Sequence, residues 1–220
     1  MANSVESWIV NFHGVGPISR PFDPGEQNVW LEEKAFCSML DAMVGVQGIE
    51  ITFDDGNCSD VEIAMPALLS RGLKASFFIP VGKLGEAGFL RESDLQSMVN
   101  AGMKIGSHGW AHRSWRKLSE DDLAQELIES RKRLEEITGI DVLSAACPFG
   151  DYDRHVVNSL RKAGYRKIYT SDRGPETSTC LLKPRNTVHA TDDPNGILEE
   201  RSNFRTGLLR RARLFYKRNR

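Results

Sequence analysis

Short apolar runs alternate with longer segments of helical periodicity along most of the chain. Apolar runs with the length and residue types of buried strands lie at 8–12, 49–53, 74–79, 103–107, 142–146, 166–170 and 181–188. Segments with the spacing of one apolar helical face lie at 31–44, 59–71, 93–102, 119–137 and 154–163, and each ends at or near a glycine. Ser59 with Asp60, Ser93 and Ser119 are the predicted N-caps. Repeated strand and helix alternation predicts a parallel sheet with helical crossovers.

The polar residues decide between an open sheet and a barrel. Asp54, His108, the segment 148–150 and Asp172 all follow the ends of different predicted strands. Barrel enzymes assemble their sites from the loops at the carboxyl ends of their strands. We therefore expect an α/β fold built as a barrel of about seven parallel strands.

Composition narrows the class of protein. The chain has 220 residues. Its 29 basic and 30 acidic side chains nearly balance, so the overall charge does not indicate nucleic-acid binding. The amino-terminal residues lack the pattern of a secretory signal, and no apolar run is long enough for a membrane span, so we expect a cytoplasmic location. The cysteines have no CxxC spacing and are expected to be buried or idle thiols: Cys37, Cys58, Cys147 and Cys180.

The charge is not evenly distributed. Residues 197–220 contain eight basic side chains and two acidic ones. We expect residues 1–195 to form the barrel and residues 196–220 to form a basic amphipathic helix. Such a helix suits peripheral contact with an anionic membrane surface, here the inner face of the membrane. The alternative is a helix that covers the barrel with its arginines in solvent.

Two sequence segments carry the candidate chemistry. Asp54 and Asp55 are adjacent at the end of a predicted strand, so their side chains point in opposite directions and can take different roles. His108 and His112 are four residues apart, a spacing that lets two imidazoles meet one cation. One carboxylate and two imidazoles with open positions are typical of a catalytic zinc-type site. The second carboxylate would then serve as a general base on water, and we assign that role to Asp54.

Four motifs together resemble those of the polysaccharide deacetylases, the NodB-homology proteins similar to carbohydrate esterase family 4. In chain order they are Thr52-Phe53-Asp54-Asp55-Gly56, Ser107-His108-Gly109-Trp110-Ala111-His112, Pro148-Phe149-Gly150-Asp151-Tyr152-Asp153 and Thr170-Ser171-Asp172-Arg173-Gly174. The resemblance spans roughly residues 9–188. It implies a distorted barrel of parallel strands, a divalent metal and hydrolysis of an acetyl group on an N-acetylated sugar. Zinc is the expected metal, with cobalt, nickel or manganese as alternatives.

The resemblance also implies roles for individual residues. Asp54 matches the catalytic base of the family, and Asp55, His108 and His112 match its metal ligands. Phe149 stands where the family has an aromatic residue whose backbone N–H stabilises the developing oxyanion.

The general acid of the family is a histidine in a late motif, and two histidines compete for it here. His13, in Ile9-Val10-Asn11-Phe12-His13-Gly14, matches better and resembles circularly permuted members in which the last strand has moved to the front. His189 follows a predicted strand and is the alternative. We assign to His13 the protonation of the departing amine.

The chain departs from the family in its third motif. An arginine that pairs with the catalytic base often precedes the Pro-aromatic pair, whereas Ala146 and Cys147 stand there in this chain. Arg185 is a candidate replacement from the last strand, and a surface arginine is the alternative.

Two further residues are candidates for the substrate site. Trp110 is expected either to stack on a sugar or to pack its loop against the barrel. Asp172 is expected either to orient a neighbouring cation or histidine or to cap a loop.

The sequence thus predicts a metal-dependent N-deacetylase acting on a polysaccharide or glycan intermediate. Two alternatives stay open. One is a hydrolase with the same site that cleaves an imide, a ureide or an O-acetyl ester. The other is a catalytically silent carbohydrate-binding protein.

Overall fold

The structure is a closed barrel of seven strands in which each neighbouring pair is parallel. It is a computed structural model that describes residues 7–176, 181–194 and 196–204, together with Ala212, Leu214, Tyr216 and Lys217. The strands are β1 (Trp8–Phe12), β2 (Ile49–Phe53), β3 (Ala75–Ile79), β4 (Lys104–Ser107), β5 (Ser144–Ala146), β6 (Lys167–Thr170) and β7 (Leu182–Thr187). Since β1 pairs with both β2 and β7, the barrel is complete. The predicted barrel of seven parallel strands is confirmed.

Helices connect most of the strands, close to the predicted positions. They are α1 (Glu33–Met43), α2 (Met65–Leu69, continuing from the π-helical turn Asp60–Ala64), α3 (Glu92–Asn100), α4 (Glu120–Ala124), α5 (Ser130–Thr138), α6 (Arg154–Lys162) and α7 (Gly196–Asn203). A π-helical turn at Gln125–Glu129 joins α4 to α5, so these two form one long rod. Short 3₁₀ turns lie at Glu26–Asn28, Val81–Lys83 and Pro148–Gly150.

One of the predicted N-caps is confirmed and one is displaced. Ser119 accepts the backbone N–H of Asp122 at 3.2 Å and begins α4. Ser93 lies inside α3, which begins one residue earlier, and the Asp94 carboxylate accepts the backbone N–H of Arg91 at 2.7 Å. The prediction for Ser93 was wrong because an acidic side chain three residues into the segment accepts the flanking backbone N–H instead.

The third predicted cap, Ser59, has a different partner. Its backbone is already helical, and no capping hydrogen bond comes from its side chain. Instead the Ser59 hydroxyl accepts the backbone N–H of Val15 at 3.2 Å. This contact fastens the loop after β1 to the start of the helical segment after β2, so the cap prediction was wrong because a tertiary hydrogen bond uses the hydroxyl.

The alternation of side chains along each strand determines what fills the barrel. The interior cluster consists of Ile9, Phe78, Ala146 and Tyr169. Successive side chains on a strand point to opposite faces, so Asn11 shares the inward face of Ile9, and His13 continues that row at the carboxyl end of β1. Polar side chains therefore occupy the upper part of the barrel, and apolar ones occupy its middle.

The outward strand faces pack under the helices. Phe53 stacks on Phe77 of the neighbouring strand with ring centroids 4.7 Å apart, and it meets Phe36 of α1 edge-on at 5.9 Å. With both strand faces buried, the strands are anchored on both sides. This rigidity fixes the positions of the loops that follow them.

Part of the predicted C-terminal helix is described. Helix α7 begins at Gly196 and ends before Phe204, whose ring contacts Trp8 at 5.5 Å. Ala212, Leu214, Tyr216 and Lys217 are helical, and the other residues beyond Phe204 lie outside the described part. The division at residue 196 and the membrane contact stay predictions, as does the cytoplasmic location. Among the described helices, none has the length and apolar character needed to cross a bilayer.

Three of the four cysteines lie within the described residues. Cys37, Cys58 and Cys147 are free thiols, and Cys147 is buried. Cys180 lies outside the described residues.

Candidate active site

A pocket of about 220 Å³ lies at the carboxyl end of the barrel. It brings together the residues predicted for catalysis, metal binding and the oxyanion: His13, Asp54, Asp55, His108, His112 and Phe149. The loop after β1 contributes a second wall that includes Asp23, Pro24 and Val29. Residues from five strand ends therefore meet in one place, as the barrel topology requires.

The carboxylate of Asp54 is held by a buried guanidinium. Arg185 Nη1 donates to Asp54 Oδ1 at 2.6 Å, and Arg185 Nη2 donates to Asp54 Oδ2 at 2.7 Å. Asn11 Nδ2 adds a hydrogen bond to Oδ2 at 3.1 Å. Burial by itself raises the pKa of Asp54, but the charge and the hydrogen bonds of Arg185 lower it, and the net pKa lies below its ordinary value. Asp54 is therefore an ionised carboxylate of fixed orientation.

Arg185 reaches this position from β7. It is 1% exposed, so the alternative of a surface arginine is wrong. Its guanidinium lies over the rings of Phe78 and Tyr169, at 5.3 and 5.9 Å from their centroids. Asn11 Oδ1 accepts a further hydrogen bond from Arg185 Nη1 at 2.8 Å. The guanidinium beside the carboxylate thus comes from the last strand and not from the third motif.

Three donor atoms converge next to Asp54. Ligand atoms of Asp55, His108 and His112 lie within 4.8 Å of one another. Asp55 Oδ1 is 3.4 Å from His108 Nε2 and 3.2 Å from His112 Nε2. His108 Nδ1 lies 2.9 Å from the carbonyl oxygen of Ala146, which can only accept, so Nδ1 carries the proton. His108 Nε2 therefore presents its lone pair to the cluster.

This donor set fits a divalent metal ion. One carboxylate oxygen and two imidazole nitrogens are typical ligands of a catalytic zinc site. Asp55 Oδ1 is buried and makes no hydrogen bond of acceptable geometry within the described residues, although two imidazoles face it. A buried carboxylate oxygen without a hydrogen bond, facing two imidazole nitrogens, is the arrangement that a cation would complete.

The backbone is strained at the same place. Asp55, His112 and Phe149 have φ angles of 75°, 50° and 57°, in the left-handed region that favours glycine. Such conformations cost on the order of 1–3 kcal/mol each and tend to cluster at functional sites. The strain turns the side chains of two candidate ligands toward one point.

A buried glutamate organises the loop that carries His108 and His112. Glu126, in the π-helical turn between α4 and α5, accepts the backbone N–H groups of Trp110 at 2.8 Å and Ala111 at 3.2 Å. It also accepts Arg113 Nε at 2.9 Å and Trp115 Nε1 at 3.3 Å. Four groups of one loop therefore donate hydrogen bonds to one carboxylate. Glu126 lies outside the motifs that predicted the site.

The two candidate acids are in different surroundings. His13 lines the pocket, and His189 is not among the lining residues. The His189 side chain is 42% exposed and lies 3.7 Å from the carboxylate of Asp192. Burial lowers the pKa of His13 below its ordinary value, although Asp55 and Asp54 act in the opposite direction. Position therefore favours His13.

The remaining predicted substrate residues lie at different distances from the pocket. Phe149 is 70% exposed, and its ring centroid is 4.8 Å from that of His112. Trp110 packs over Gly82, where an added Cβ would lie 2.8 Å from the Trp110 carbonyl oxygen, and it does not line the pocket. This geometry corresponds to the packing alternative.

Asp172 also lies outside the pocket lining. It accepts a hydrogen bond from the hydroxyl of Tyr152 at 2.5 Å and another from Lys217 Nζ at 2.9 Å. The cation that it orients is therefore a lysine from the C-terminal segment.

A second buried carboxylate lies outside the predicted site residues. Asp60 is fully buried, and neither of its oxygens has a hydrogen-bond partner within the described residues. Burial raises the pKa of Asp60, and the charges of Asp55 and Asp54 raise it further, well above its ordinary value. Asp60 therefore takes up a proton more readily than an ordinary carboxyl group.

Comparison with solved structures supports the fold. A Streptococcus pyogenes deacetylase, PplD, solved in complex with acetate, superposes with a TM-score of 0.79 over 89% of this chain and 97% of its own, at 19% identity.

Sequence comparison identifies the family. Residues 43–168 match the family model described as polysaccharide deacetylase. A Bacillus subtilis (strain 168) protein named "Putative polysaccharide deacetylase YxkH" is 26% identical over 69% of this chain and 54% of its own length. Listeria monocytogenes peptidoglycan-N-acetylglucosamine deacetylase PgdA is 26% identical over 51% of this chain and 23% of its own. The chain thus spans about half the length of the first relative and less of the second. With more than half of its residues matched by the family model, the chain belongs to the polysaccharide deacetylase family.

Proposed function

We propose that this chain is a metal-dependent hydrolase that removes acetyl groups from N-acetylated sugars of a polysaccharide or glycan intermediate. The observation that carries the proposal is the pocket in which an ionised Asp54 lies beside the donor cluster of Asp55, His108 and His112. Family membership supports deacetylation of a glycan. The name of PgdA supports N-acetylglucosamine as the sugar.

The donor cluster and Asp54 have different roles in the attack of water on the acetyl group. Asp55, His108 and His112 would hold the divalent metal, which when bound lowers the pKa of coordinated water and polarises an acyl oxygen. Asp54 takes the proton of the attacking water. Arg185 and Asn11 occupy both of its oxygens, but an ionised carboxylate has further lone pairs for a proton or a hydrogen bond.

Phe149 and His13 are assigned to the developing oxyanion and to the departing amine. The backbone N–H of Phe149 is assigned to the developing oxyanion, as fixed donors at such a position stabilise charge in the transition state. His13 gives a proton to the nitrogen as the carbon–nitrogen bond breaks, so that acetate and a free amine leave. Burial lowers the pKa of His13, so its protonated imidazole is a stronger acid toward the departing nitrogen.

The test is acetate release by the zinc-loaded protein from N-acetylglucosamine oligomers. Release is expected to stop with a chelator and to return when zinc is added. Asp54→Asn is expected to lower kcat by about 10²- to 10⁴-fold, the contribution typical of a general base, while zinc binding by calorimetry persists. Asp121→Asn on the exposed surface is the matched control.

Two results would contradict the proposal. Release that is unaffected by a chelator would remove the metal from the reaction. No release from any N-acetylated oligomer by folded, zinc-binding protein would transfer the assignment to an O-acetyl ester, an imide or a ureide, or to a silent binding protein.

A further inference from the structure

We propose that Lys217, in the C-terminal segment, is a positioning residue for the backbone turn that is assigned to the oxyanion. Lys217 Nζ donates to the carbonyl oxygen of Gly150 at 2.7 Å and to Asp172 Oδ1 at 2.9 Å. Gly150 directly follows Phe149, whose backbone N–H has that assignment. The inference rests on the proposed function and adds to it a residue that lies beyond the last strand of the barrel.

The turn that carries Phe149 has an unfavourable backbone conformation. Phe149 has φ 57° and ψ 11° within the 3₁₀ turn Pro148–Gly150, and Gly150 follows with a φ of 61°. A side chain keeps such a conformation only where the surrounding structure imposes it. The Gly150 N–H donates to the Cys147 carbonyl oxygen at 2.9 Å, which stabilises the shape of the turn. Its place at the barrel mouth depends on contacts with other segments.

Lys217 joins the turn to the loop after β6. The two segments touch at Gly150, where an added Cβ would lie 2.6 Å from Ser171 Cβ. Asp172 is the next residue of that loop, and its side chain is 3% exposed, against 19% for Lys217. One ammonium therefore donates to both segments where they meet. Charge-assisted hydrogen bonds that are shielded from water are stronger than those at the surface, so this contact fixes the turn against the loop.

The surroundings of Lys217 suit a permanent contact. The hydroxyl of Tyr152 donates to Asp172 Oδ2 at 2.5 Å, so each oxygen of this carboxylate accepts a hydrogen bond. The Lys217 ammonium also lies 4.2 Å from the ring centroid of Tyr152, within range of a cation–π interaction. Removing one partner of a buried ion pair is costly, because the other charge stays in place without it. Loss of the Lys217 ammonium is therefore expected to loosen the turn.

A loosened turn is expected to affect turnover more than substrate binding. A backbone donor to an oxyanion acts where charge develops in the transition state, and one such donor contributes about 10²–10³ to kcat. An interaction made only in the transition state changes kcat and leaves KM nearly unchanged. Lys217 has no contact with the donor cluster of Asp55, His108 and His112 among the contacts described, so zinc affinity is expected to persist.

The first test is the kinetics of acetate release from N-acetylglucosamine oligomers by the zinc-loaded, full-length protein. Lys217→Met is expected to lower kcat by about 5- to 50-fold, part of the contribution of one oxyanion donor, with KM and the zinc Kd near their wild-type values. Lys217→Arg keeps a cation with N–H donors and is expected to retain most of kcat. Lys132→Met is the matched control, because Lys132 is 59% exposed and pairs with Glu129 on its own helical rod.

The second test is hydrogen exchange of the backbone amides in residues 147–151. Exchange is expected to be faster in Lys217→Met than in the wild type or in Lys132→Met, since the turn opens more often. Unchanged exchange would overturn the inference, whatever the effect on kcat. Faster exchange with wild-type kcat would also overturn it, because Lys217 would then support the fold only.

The two proposals fail in different ways. Wild-type protein that binds zinc and releases no acetate would contradict the proposed function. Wild-type protein that releases acetate, together with Lys217→Met protein of equal kcat, would contradict the positioning role of Lys217 alone.

Discussion

At Asp54, orientation and charge are supplied by one residue. Both guanidinium nitrogens of Arg185 meet both carboxylate oxygens, a bidentate geometry that lysine does not reproduce. The pair is buried, so it depends on complete pairing and not on charge alone. The planar shape of the Arg185 guanidinium is therefore expected to contribute to activity separately from its charge.

Arg185→Lys tests this separation. We expect kcat/KM for acetate release to fall by about 10- to 100-fold, as for other partners that orient a catalytic group, because one ammonium holds only one carboxylate oxygen well. Zinc affinity is expected to stay near that of the wild type, since Arg185 contacts Asp54 and not the donor cluster. Arg166→Lys, an exposed substitution, is the control. Unchanged kcat/KM in Arg185→Lys would show that charge alone is sufficient.

Asp60 predicts a pH dependence of stability. Its pKa in the folded protein is raised, so it contributes stability that is fully present below the unfolded-state pKa of about 3.9 and is lost as pH rises through the folded value. Asp60→Asn keeps the neutral form at every pH. In chelator-treated protein, the Tm of the variant relative to the wild type is therefore expected to increase from pH 4 upward.

The comparison needs one control. Asp121→Asn removes an exposed carboxylate and corrects for the change in net charge. A Tm difference between Asp60→Asn and the wild type that is constant with pH, or that shrinks as pH rises, would contradict the assignment of a raised pKa to Asp60.

Among the individual site residues, those that lie in contiguous motifs could be predicted from the sequence. Asp54 and Asp55 are adjacent, and His108 and His112 are four apart, so the local chain already brings them near one another. Glu126 is different, because its four donors lie 11–16 residues before it in the chain, in a loop outside its helical rod. The available signal was an acidic residue beside Leu127 on the buried face of a helix, where charges are rare unless paired.

At the scale of elements, the loop after β4 depends on the helical rod beside it. The π-helical turn at Gln125–Glu129 places Glu126 against the loop, and the carboxylate collects its donors there. The loop itself contains His112 in a left-handed conformation, which is unfavourable without support. Glu126 is therefore expected to act on metal binding through the position of His108 and His112.

Glu126→Gln tests this coupling. The amide keeps the shape but replaces one acceptor by a donor that faces other N–H groups. We expect zinc affinity by calorimetry to fall by about 10- to 100-fold, as for other residues that position metal ligands. Glu129→Gln, three residues further on the exposed side of the same rod, is the matched control. A lowered Tm with unchanged zinc affinity would show that Glu126 supports the fold only.

Strand boundaries were easier to predict from the local sequence than helix caps were. The strands β1 and β2 were predicted to the residue, because both are compact apolar runs followed by polar residues at the barrel mouth. The serine caps were less predictable, since Ser59 bonds to a segment about 44 positions away in the chain. Periodicity reports burial, whereas the partner of a hydroxyl depends on tertiary contacts.

At the scale of the molecule, the donor cluster joins two separate parts of the barrel mouth. Asp55 follows β2, and His108 and His112 follow β4, with β3 between them. Asp55 and His112 also hold strained backbone conformations. A ligand that binds both loops would offset this strain and link strands that share no hydrogen bonds. Metal binding is therefore expected to stabilise the whole fold and not only the pocket.

Zinc is accordingly expected to raise the Tm. At free zinc about 100-fold above its Kd, linkage gives about 2.7 kcal/mol. For a chain of this length, about 2–4 °C per kcal/mol converts this into a rise of about 5–11 °C. His108→Ala is expected to lose most of the rise, because it removes one of three donors. His155→Ala, on exposed α6, is expected to keep it. An equal rise in His108→Ala and the wild type would mean that zinc stabilises the fold from another site, since a cation held by this cluster needs its imidazoles to link the two loops.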